Sequence, residues 1–552
     1  MSAHQPDIST FLPARDSVID LDIEMQGDSK KLQTEHVENV EVREEQKTIQ
    51  YTAGEDSGEA RTGLRRLLRR NASVEFVREV ARVADEDDFD IREVRAVERK
   101  IQWLIIPALA VCYGFYYIDK TTLSYAAVFD LKKALNLKGA EYSWLSSVFY
   151  FGWLAWAIPT NLLMARLPLA KYLSANILAW GVFLMVQGAV TNFAQLCVLR
   201  IISGAFEATA DPAFVAITSM WFTRKQQPTV IGLWYSFNGV GIAFGGLLGY
   251  GIGNIPTTNI ASWRLEFIIV GALCTLWSLF MFIFIPDAPY STKWLTRRQA
   301  VIVVARKRNE GAGIDKKEFQ RSQVWDTLKD VKTYLYFFLG FSANVPNGGT
   351  SNFGTLVIKG FGFSTLNTTL LQIPYGTFIA LMIFAAIYVN HKTHEKNVRT
   401  LLMAGVTVLT VIGFALIAWT KGIAPRLIGY YLTGSSNAVF VLALSLVSGN
   451  TGGSTKKALT SASIFLGVAL GNIVGPFCFL DSEAPTYQTG IIVCMVSRAL
   501  EIVIILSLRF CFVTGNKKRD RLFAAGDQTA DPSNEVYDDI SDTKNMSFRY
   551  IC

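Results

Sequence analysis

The sequence predicts an all-α membrane protein with twelve transmembrane helices. The composition, a succession of apolar runs and an internal repeat all indicate this class. Of the 552 residues, 51% are hydrophobic and only 18% are charged, whereas a soluble protein of this length would carry more charge on its surface. Apolar runs of 18 or more residues follow one another between residues 101 and 512. About 20 apolar residues cross the hydrocarbon core of a bilayer, so each run is a predicted span.

The predicted spans form two groups of six. Spans 1 to 6 are predicted at residues 102–128, 142–165, 173–191, 193–221, 228–252 and 263–286, and spans 7 to 12 at 332–357, 368–390, 399–420, 424–448, 456–480 and 487–512. The chain then divides into a largely disordered N-terminal tail (1–100), a first six-helix bundle (101–286), a central loop (287–331), a second bundle (332–512) and a C-terminal tail (513–552).

An internal repeat relates the two groups. GIAFGGLLG (241–249) in span 5 resembles GVALGNIVG (467–475) in span 11, at an offset of 226 residues. The same offset places Arg200 of span 4 on Arg426 of span 10. Many secondary transporters consist of two such repeats with a binding site between them near the middle of the membrane. The repeat therefore predicts two six-helix halves around a central site.

The basic residues of the short loops predict the orientation. Lys and Arg are found in the loops after spans 2, 4, 8 and 10 and in the central loop, whereas the loops after spans 3, 5 and 11 carry none. The loop after span 1, with Lys132, Lys133 and Lys138, is the exception. Because cytoplasmic loops are enriched in Lys and Arg, both termini and the central loop are predicted to be cytoplasmic.

Charged residues inside spans 1 and 4 are the main functional signal. Asp119 and Lys120 are adjacent in span 1, and Arg200 and Glu207 lie seven residues apart in span 4, a spacing that points both to one side of a helix. A charge in mid-membrane costs at least about 2.5–3.5 kcal/mol, so it needs a partner or a water-filled cavity. These residues form either a structural ion-pair network or a transport pathway. We favour the pathway because Glu207 shares the helix face of Arg200 but lies deeper.

The chemistry of these four side chains predicts a carrier of organic anions. Lys120 and Arg200 are expected to bind a carboxylate through charge-assisted hydrogen bonds. Asp119 and Glu207 are expected to couple transport to protons, because burial favours the neutral form of a carboxyl group. Asp211 precedes Pro212, where we expect an irregularity in span 4.

Polar residues of other spans are further candidates for substrate binding, although hydrogen bonding between helices explains each equally well. These candidates are Tyr235, Asn238, Asn347, Asn352, Gln372, Tyr375 and Asn472. Pro346 and the neighbouring glycines are expected to break span 7. Arg498 and Glu501 in span 12 lie three residues apart and are expected to pair in a structural role.

Other classes of protein find little support. Seven cysteines and four histidines form no metal-binding motif, and no nucleophile–base set or phosphate-binding loop is apparent, so we expect neither an enzyme nor a cofactor. The net charge of +7 matches basic cytoplasmic loops and gives no reason to expect nucleic acid.

The expected partners are a small organic anion, protons and the lipid bilayer, and the chain is expected to be a monomer. Proton-driven export of a metabolite or toxin, or nutrient sensing without transport, are the alternative functions.

Specific motifs point to a family. These are DKTTLSYA in span 1, the Arg200–Glu207–Pro212 pattern in span 4, MWFTRKQQP after it, PDAP at the end of span 6, NVPNGGTSNFGTLVIKGFGFSTLNTTLLQIPYG in spans 7 and 8, and STKKALTSA and GNIVGP in span 11. Over residues 100–522 the chain resembles the fungal allantoate permease group of the anion:cation symporter family, within the major facilitator superfamily.

The resemblance implies the major facilitator fold. It also implies proton-coupled import by alternating access of a small organic anion, which is a carboxylate, a ureide such as allantoate, or a vitamin-like acid. The membrane-embedded acids of the family fall on Asp119 and Glu207, and its anion-binding cations fall on Lys120 and Arg200. The plasma membrane is the expected location.

Overall fold

The computed structural model describes residues 89–223, 226–256, 260–292, 294–308, 319–393, 397–524 and 539–552. The predicted N-terminal tail therefore lies outside the described residues, except for its last twelve positions. Of the basic loop residues that predict the orientation, some also lie outside them: Arg224 and Lys225 after span 4, Lys396 after span 8, and Lys293, Lys316 and Lys317 in the central loop.

The described residues contain twelve helical segments at the positions of the predicted spans, which confirms the predicted fold class. Spans 1 to 6 are Ile91–Val128, Glu141–Met164, Leu169–Gln187, Phe193–Glu207 with Ala210–Trp221, Gln227–Gly253, and Ser262–Phe284. Spans 7 to 12 are Val331–Gly360, Thr365–Leu370 with Gln372–Lys392, Arg399–Trp419, Ile423–Thr433 with Ser436–Gly449, Ser454–Val474, and Gln488–Ala524. Short helices at Leu131–Ala134, Arg297–Arg308 and Arg321–Lys329 lie in the connections.

Ten of the twelve spans, all but spans 2 and 7, are long and apolar enough to cross a membrane by length and composition. Spans 2 and 7 carry polar residues that contact the opposite half of the bundle. In span 2, Ser143 and Ser147 donate hydrogen bonds to carbonyl oxygens of the second half. In span 7, Thr355 donates a hydrogen bond to a carbonyl oxygen of the first half. Their polar residues thus serve contacts between the two halves rather than contacts with lipid.

Spans 4 and 10 are interrupted at matching positions. The first helix of span 4 ends at Glu207 and the first helix of span 10 ends at Thr433, 226 residues later. The second helices begin at Ala210 and Ser436, at the same offset. The structure therefore carries the internal repeat that the sequence predicts. In span 4 the irregularity lies beside Pro212, because proline has no N–H to bond to the preceding turn.

The prediction that Pro346 breaks span 7 is wrong, because Val331–Gly360 is one continuous helix. Tight packing against span 11 explains this. A Cβ atom on Gly471 would lie 2.5 Å from the carbonyl oxygen of Phe341, and one on Gly348 would lie 2.7 Å from that of Asn472. Such close approach of glycine-containing helices is typical of membrane proteins. The contact supports the helix on both sides of the proline.

The C-terminal segment 539–552 docks onto the second half. We call this side the tail face, the end of the bundle at which span 1 begins and span 12 ends, and the opposite end the far face. Asp542 is fully buried there, and Lys456 Nζ lies 2.9 Å from its Oδ1. Lys332 Nζ and the hydroxyl of Tyr550 contact the other carboxylate oxygen. A buried carboxylate thus joins the tail to spans 7 and 11.

Backbone contacts extend this docking to two further spans. Asn450, at the end of span 10, donates a hydrogen bond of 2.7 Å to the carbonyl oxygen of Ile551 and accepts one from its N–H. The N–H of Arg399, at the start of span 9, donates to the carbonyl oxygen of Cys552 over 2.8 Å. The segment therefore connects the tail-face ends of several helices of the second half.

Asp542→Asn should release this segment. Burial alone would raise the pKa of the Asp542 carboxyl group, but the ammonium groups of Lys332 and Lys456 hold that pKa below its ordinary value. Removing one partner of a buried ion pair costs about 3–5 kcal/mol. We expect faster hydrogen exchange of residues 539–552 in the variant, measured by mass spectrometry at neutral pH.

The same measurement should depend on pH in one direction. Because the folded-state pKa is lowered, the stabilisation by Asp542 is complete above the ordinary pKa of an aspartate and disappears as the pH falls through the lowered value. Asp520→Asn is the matched control, since Asp520 is exposed and contacts Arg549 only in a surface ion pair. Equal exchange in the two variants would contradict the role of Asp542.

Candidate functional site

A cavity of about 70 Å³ lies between the two halves, which is room for several water molecules. Its polar wall from the first half consists of Tyr113, Tyr117, Lys120, Tyr150, Glu207, Asp211 and Tyr235. Its polar wall from the second half consists of Asn344, Asn347, Ser436, Asn437, Asn472 and Arg498. The cavity therefore has charges of both signs, phenol groups on one side and carboxamides on the other.

An ion pair lies in the wall of this cavity. Lys120 Nζ is 3.7 Å from Glu207 Oε1 and also lies over the ring of Tyr117, 4.7 Å from its centroid. Glu207 is 6% exposed, and its Oε2 accepts no hydrogen bond from the described residues. The break in span 4 positions this carboxylate, since Glu207 ends one helix and Asp211 lies in the first turn of the next. The pair is thus accessible to a molecule in the cavity and incompletely satisfied.

The second pair of predicted charges is more deeply enclosed. Arg200 Nη1 lies 3.9 Å from Asp119 Oδ1, and Trp180 Nε1 donates a hydrogen bond of 2.9 Å to Asp119 Oδ2. Arg200 Nε donates to the carbonyl oxygen of Leu145 over 3.3 Å, and the guanidinium lies over the ring of Phe149. Arg200 and Asp119 are 4% and 1% exposed. They do not border the main cavity.

Asp119 and Arg200 border a second, smaller cavity. Its volume is about 10 Å³, which is close to the space that one water molecule needs. Lys120 and Tyr150 border both cavities. They therefore form the partition between the main cavity and the Asp119–Arg200 pair.

The order of residues along the spans shows which end is closed. In span 7, which runs toward the far face, Asn344 and Asn347 border the main cavity, Asn352 borders the smaller one, and Thr355 bonds to span 1 beyond both. The main cavity therefore lies on the tail side of a layer of contacts between the halves.

Hydrogen bonds from hydroxyl groups build this far-face layer. Tyr142 donates to the carbonyl oxygen of Asn352 over 2.7 Å, and Ser147 donates to that of Ile473 over 2.7 Å. Lys132 Nζ adds an ion pair to Asp481 Oδ1 at 2.8 Å. The structure is closed at the far face.

The predicted site residues fall into three groups. Lys120, Glu207, Tyr235, Asn347 and Asn472 border the main cavity. The smaller cavity is bordered by Asp119, Arg200 and Asn352. The last group, Asn238, Gln372 and Tyr375, borders neither cavity.

The residues of the last group contact other helices. Asn238 donates a hydrogen bond of 2.8 Å to Asn437 Oδ1, so it supports a residue of the cavity wall. Gln372 bonds to the hydroxyl of Tyr430 over 3.3 Å, and the ring of Tyr375 packs on the ring of Tyr430 with centroids 4.5 Å apart. Helix–helix contact therefore explains Gln372 and Tyr375.

The structure adds residues to the site that the sequence did not assign to it. Asn437 is one of them, and the repeat contains a signal for it, since it lies 226 residues after Asp211 and beside the break in span 10. Arg498 pairs with Glu501 as predicted, at 2.7 Å, but it also borders the cavity. Nothing in the sequence separates three further residues of the cavity wall from the other aromatic residues of the apolar spans. These are Tyr113, Tyr117 and Tyr150.

A twelve-span bundle with a polar cavity between two repeated halves defines a membrane transporter of small molecules rather than an enzyme. The chain belongs to the major facilitator superfamily, whose family model matches residues 109–476. It is 36% identical over 486 residues to an uncharacterised transporter of Schizosaccharomyces pombe, a match that covers 86% of this chain and 89% of that protein. It is 30% identical over 492 residues to the allantoate permease of Saccharomyces cerevisiae, covering 86% of this chain and 90% of that protein.

A solved structure supports the fold independently. A bacterial homologue of the human lysosomal transporter Spinster, in an inward-facing and unoccupied conformation, aligns with a TM-score of 0.56 at 16% identity. The alignment covers 74% of this chain and 96% of that chain. At this level of identity the likeness concerns the fold of the two six-helix halves and not the substrate.

Weakening the far-face layer should open it. Tyr142→Phe combined with Ser147→Ala removes two neutral hydrogen bonds between the halves, each of which contributes about 1 kcal/mol. We expect a larger population with separated far-face ends, measured as longer distances between spin labels at the exposed positions Lys133 and Ser482. Tyr334→Phe is the control, because that hydroxyl bonds to a carbonyl oxygen near the tail face.

The labelling background replaces Cys197, Cys478 and Cys511, the cysteines that are partly accessible. An unchanged distance distribution in the double variant would show that these hydroxyl groups do not hold the far face closed.

Proposed function

We propose that this transporter imports a small organic anion together with protons by alternating access at the plasma membrane, and that it acts as a monomer. The observation that carries the proposal is the Lys120–Glu207 ion pair in the wall of the cavity between the halves. When such a pair separates, the base can bind a substrate in place of the acid, and the acid can bind a proton in place of the base.

The substrate class follows from the lining of the cavity. Lys120 supplies a cation that can form a charge-assisted hydrogen bond with a carboxylate. Asn347 and Asn472 are joined by a hydrogen bond of 3.0 Å and border the same space, so they offer both donors and acceptors. A carboxylate that carries amide-like or hydroxyl groups fits this lining. The name of the yeast relative, allantoate permease, supports a carboxylate or ureide as substrate.

Proton coupling follows from the competition for Lys120. While Glu207 is ionised, Lys120 is its partner and the cavity presents little net charge to an anion. Protonation of Glu207 removes that partner and leaves Lys120 to bind the carboxylate. Loss of the proton then restores the ion pair and expels the anion. A buried acid left without its base is costly, which links the two events.

Asp119 and Arg200 supply a second acid–base pair nearer the far face. They share the smaller cavity with Lys120, so a proton entering through an open far face meets Asp119 before Glu207. In this scheme Asp119 takes up the proton and Glu207 releases it on the other side. Arg200 holds the charge of Asp119 whenever the far face is closed.

The predicted orientation supports import. With the basic loops in the cytoplasm, the tail face is cytoplasmic and the far face is outside. The described conformation, closed at the far face, is then closed to the outside. An inward proton gradient protonates the acids from outside and drives the anion inward.

Uptake by proteoliposomes tests the proposal. The purified protein should accumulate at least one labelled anion from a panel that includes allantoate, nicotinate and succinate, and only with an inward proton gradient. Accumulation without the gradient would reject proton coupling. Transport of the same anion outward against its gradient would favour an exporter. Saturable binding without flux of any anion in the panel would favour a sensor.

Glu207→Gln should separate coupling from binding. The amide cannot release a proton, so gradient-driven accumulation is expected to fall to the background level, while exchange of labelled for unlabelled substrate continues. Glu141→Gln, at the start of span 2 and outside the cavity, is the matched control and should retain accumulation. If Glu207→Gln accumulates substrate normally, Glu207 has a structural role only.

A further inference from the structure

We propose that Arg498 of span 12 is a second substrate-binding group, which contacts a hydrogen-bond-accepting oxygen at the end of the anion remote from the carboxylate bound by Lys120. The inference rests on the proposed function and adds a requirement to it. The substrate class becomes organic anions that carry a second oxygen acceptor, either a neutral carbonyl or another carboxylate.

The surroundings of Arg498 support this role. Its side chain borders the main cavity and is only 3% exposed. Nη1 donates a hydrogen bond of 2.7 Å to Glu501 Oε2, whereas the buried Nε–H has no partner among the described residues. An unpaired buried donor on a guanidinium is costly. The guanidinium is thus incompletely bonded, and a ligand oxygen in the cavity would give the part of it that borders the cavity a further partner.

Arg498 also supplies what the second half otherwise lacks. Among the described residues that border the cavity, those of the first half include Lys120, Glu207 and Asp211, whereas Arg498 is the charged one from the second half. Arg200, the other cation that the sequence indicated, is held by Asp119 in the smaller cavity. Each half thus contributes one base to the main cavity.

A base on each half has a mechanical consequence. The halves move relative to each other during alternating access, and a ligand that contacts both stabilises the conformation in which they close around it. An anion with one acceptor group contacts Lys120 alone and leaves the halves independent. An anion with two acceptors connects them.

Glu501 determines how strongly Arg498 attracts a second charge. It is 1% exposed and lies one helical turn from Arg498, so it neutralises the guanidinium and repels a carboxylate placed nearby. A neutral carbonyl is therefore bound with less competition than a second carboxylate. Removing the charge of Glu501 should reverse that order.

Three matched ligands test the proposal on the purified full-length protein: butyrate with one carboxylate, succinamate with an added amide, and succinate with two carboxylates. We expect the wild type to bind succinamate most tightly, measured by ligand-induced quenching of tryptophan fluorescence, since Trp153 borders the cavity. Arg498→Gln should weaken succinamate binding by about tenfold or more, because a hydrogen bond to a charged group is lost, and leave butyrate binding unchanged. Arg509→Gln, on the same span and bonded to Thr400, should match the wild type.

Glu501→Gln should change ligand affinity in the opposite direction to Arg498→Gln. Loss of its negative charge should tighten succinate binding, whereas a purely structural ion pair predicts that Arg498→Gln and Glu501→Gln weaken all three ligands alike. Arg498→Gln with Glu501→Gln removes both buried charges and replaces Arg498→Gln if that single variant misfolds.

The outcomes separate the two proposals. Equal wild-type affinity for butyrate and succinamate, or equal losses in the variants, would overturn the role of Arg498 while leaving anion binding by Lys120 intact. A wild type that binds none of the three would count against the anion site itself and thus against both.

Discussion

The structure depends on the cost of holding charged side chains within a membrane. At least about 2.5 kcal/mol is lost for each such charge at the bilayer centre, so each must be matched by a partner, by water or by a ligand. Asp119, Lys120, Arg200 and Glu207 meet this requirement as two ion pairs on spans 1 and 4. One pair faces the main cavity and the other lies behind Lys120 and Tyr150. Charges that pair with each other for stability therefore also border both cavities.

The interruptions in spans 4 and 10 give the cavity its form. A continuous span 4 would bond its backbone through the region of Glu207, whereas the break brings the end of one helix and the start of the next to the cavity wall. In the second half the corresponding break positions Asn437. The repeat thus places an acid, Asp211, in the first half and a carboxamide, Asn437, at the equivalent position of the second half. Divergence of side chains on a shared backbone makes the cavity chemically asymmetric.

Much of this could be predicted from the sequence, and what could not has a physical reason. Apolar length identified the spans, and the rarity of charges in lipid identified Asp119, Lys120, Arg200 and Glu207. The prediction from Pro346 was wrong, because helix propensity is a local property and takes no account of the glycine contacts with span 11 that support span 7. Gln372 and Tyr375 border neither cavity: Gln372 bonds to the hydroxyl of Tyr430, and the ring of Tyr375 packs on the ring of Tyr430. The sequence does not separate such contacts from ligand contacts, since polar groups between helices and polar groups around a ligand share the same residue types. Whether a side chain of span 12 reaches the cavity between the halves depends on the tilt and rotation of the helix, which no local pattern of residues encodes.

The far-face layer has a further property that follows from its chemistry. Four of its hydroxyl groups, on spans 2 and 7, donate to backbone carbonyl oxygens of the opposite half. A carbonyl oxygen is present whatever residue occupies its position, so substitutions on the accepting side cannot delete the acceptor. Only the donor of each bond is exposed to mutational loss. Closure of the far face therefore tolerates substitutions at the residues whose carbonyl oxygens accept these hydrogen bonds. Those residues can differ between transporters with different substrates.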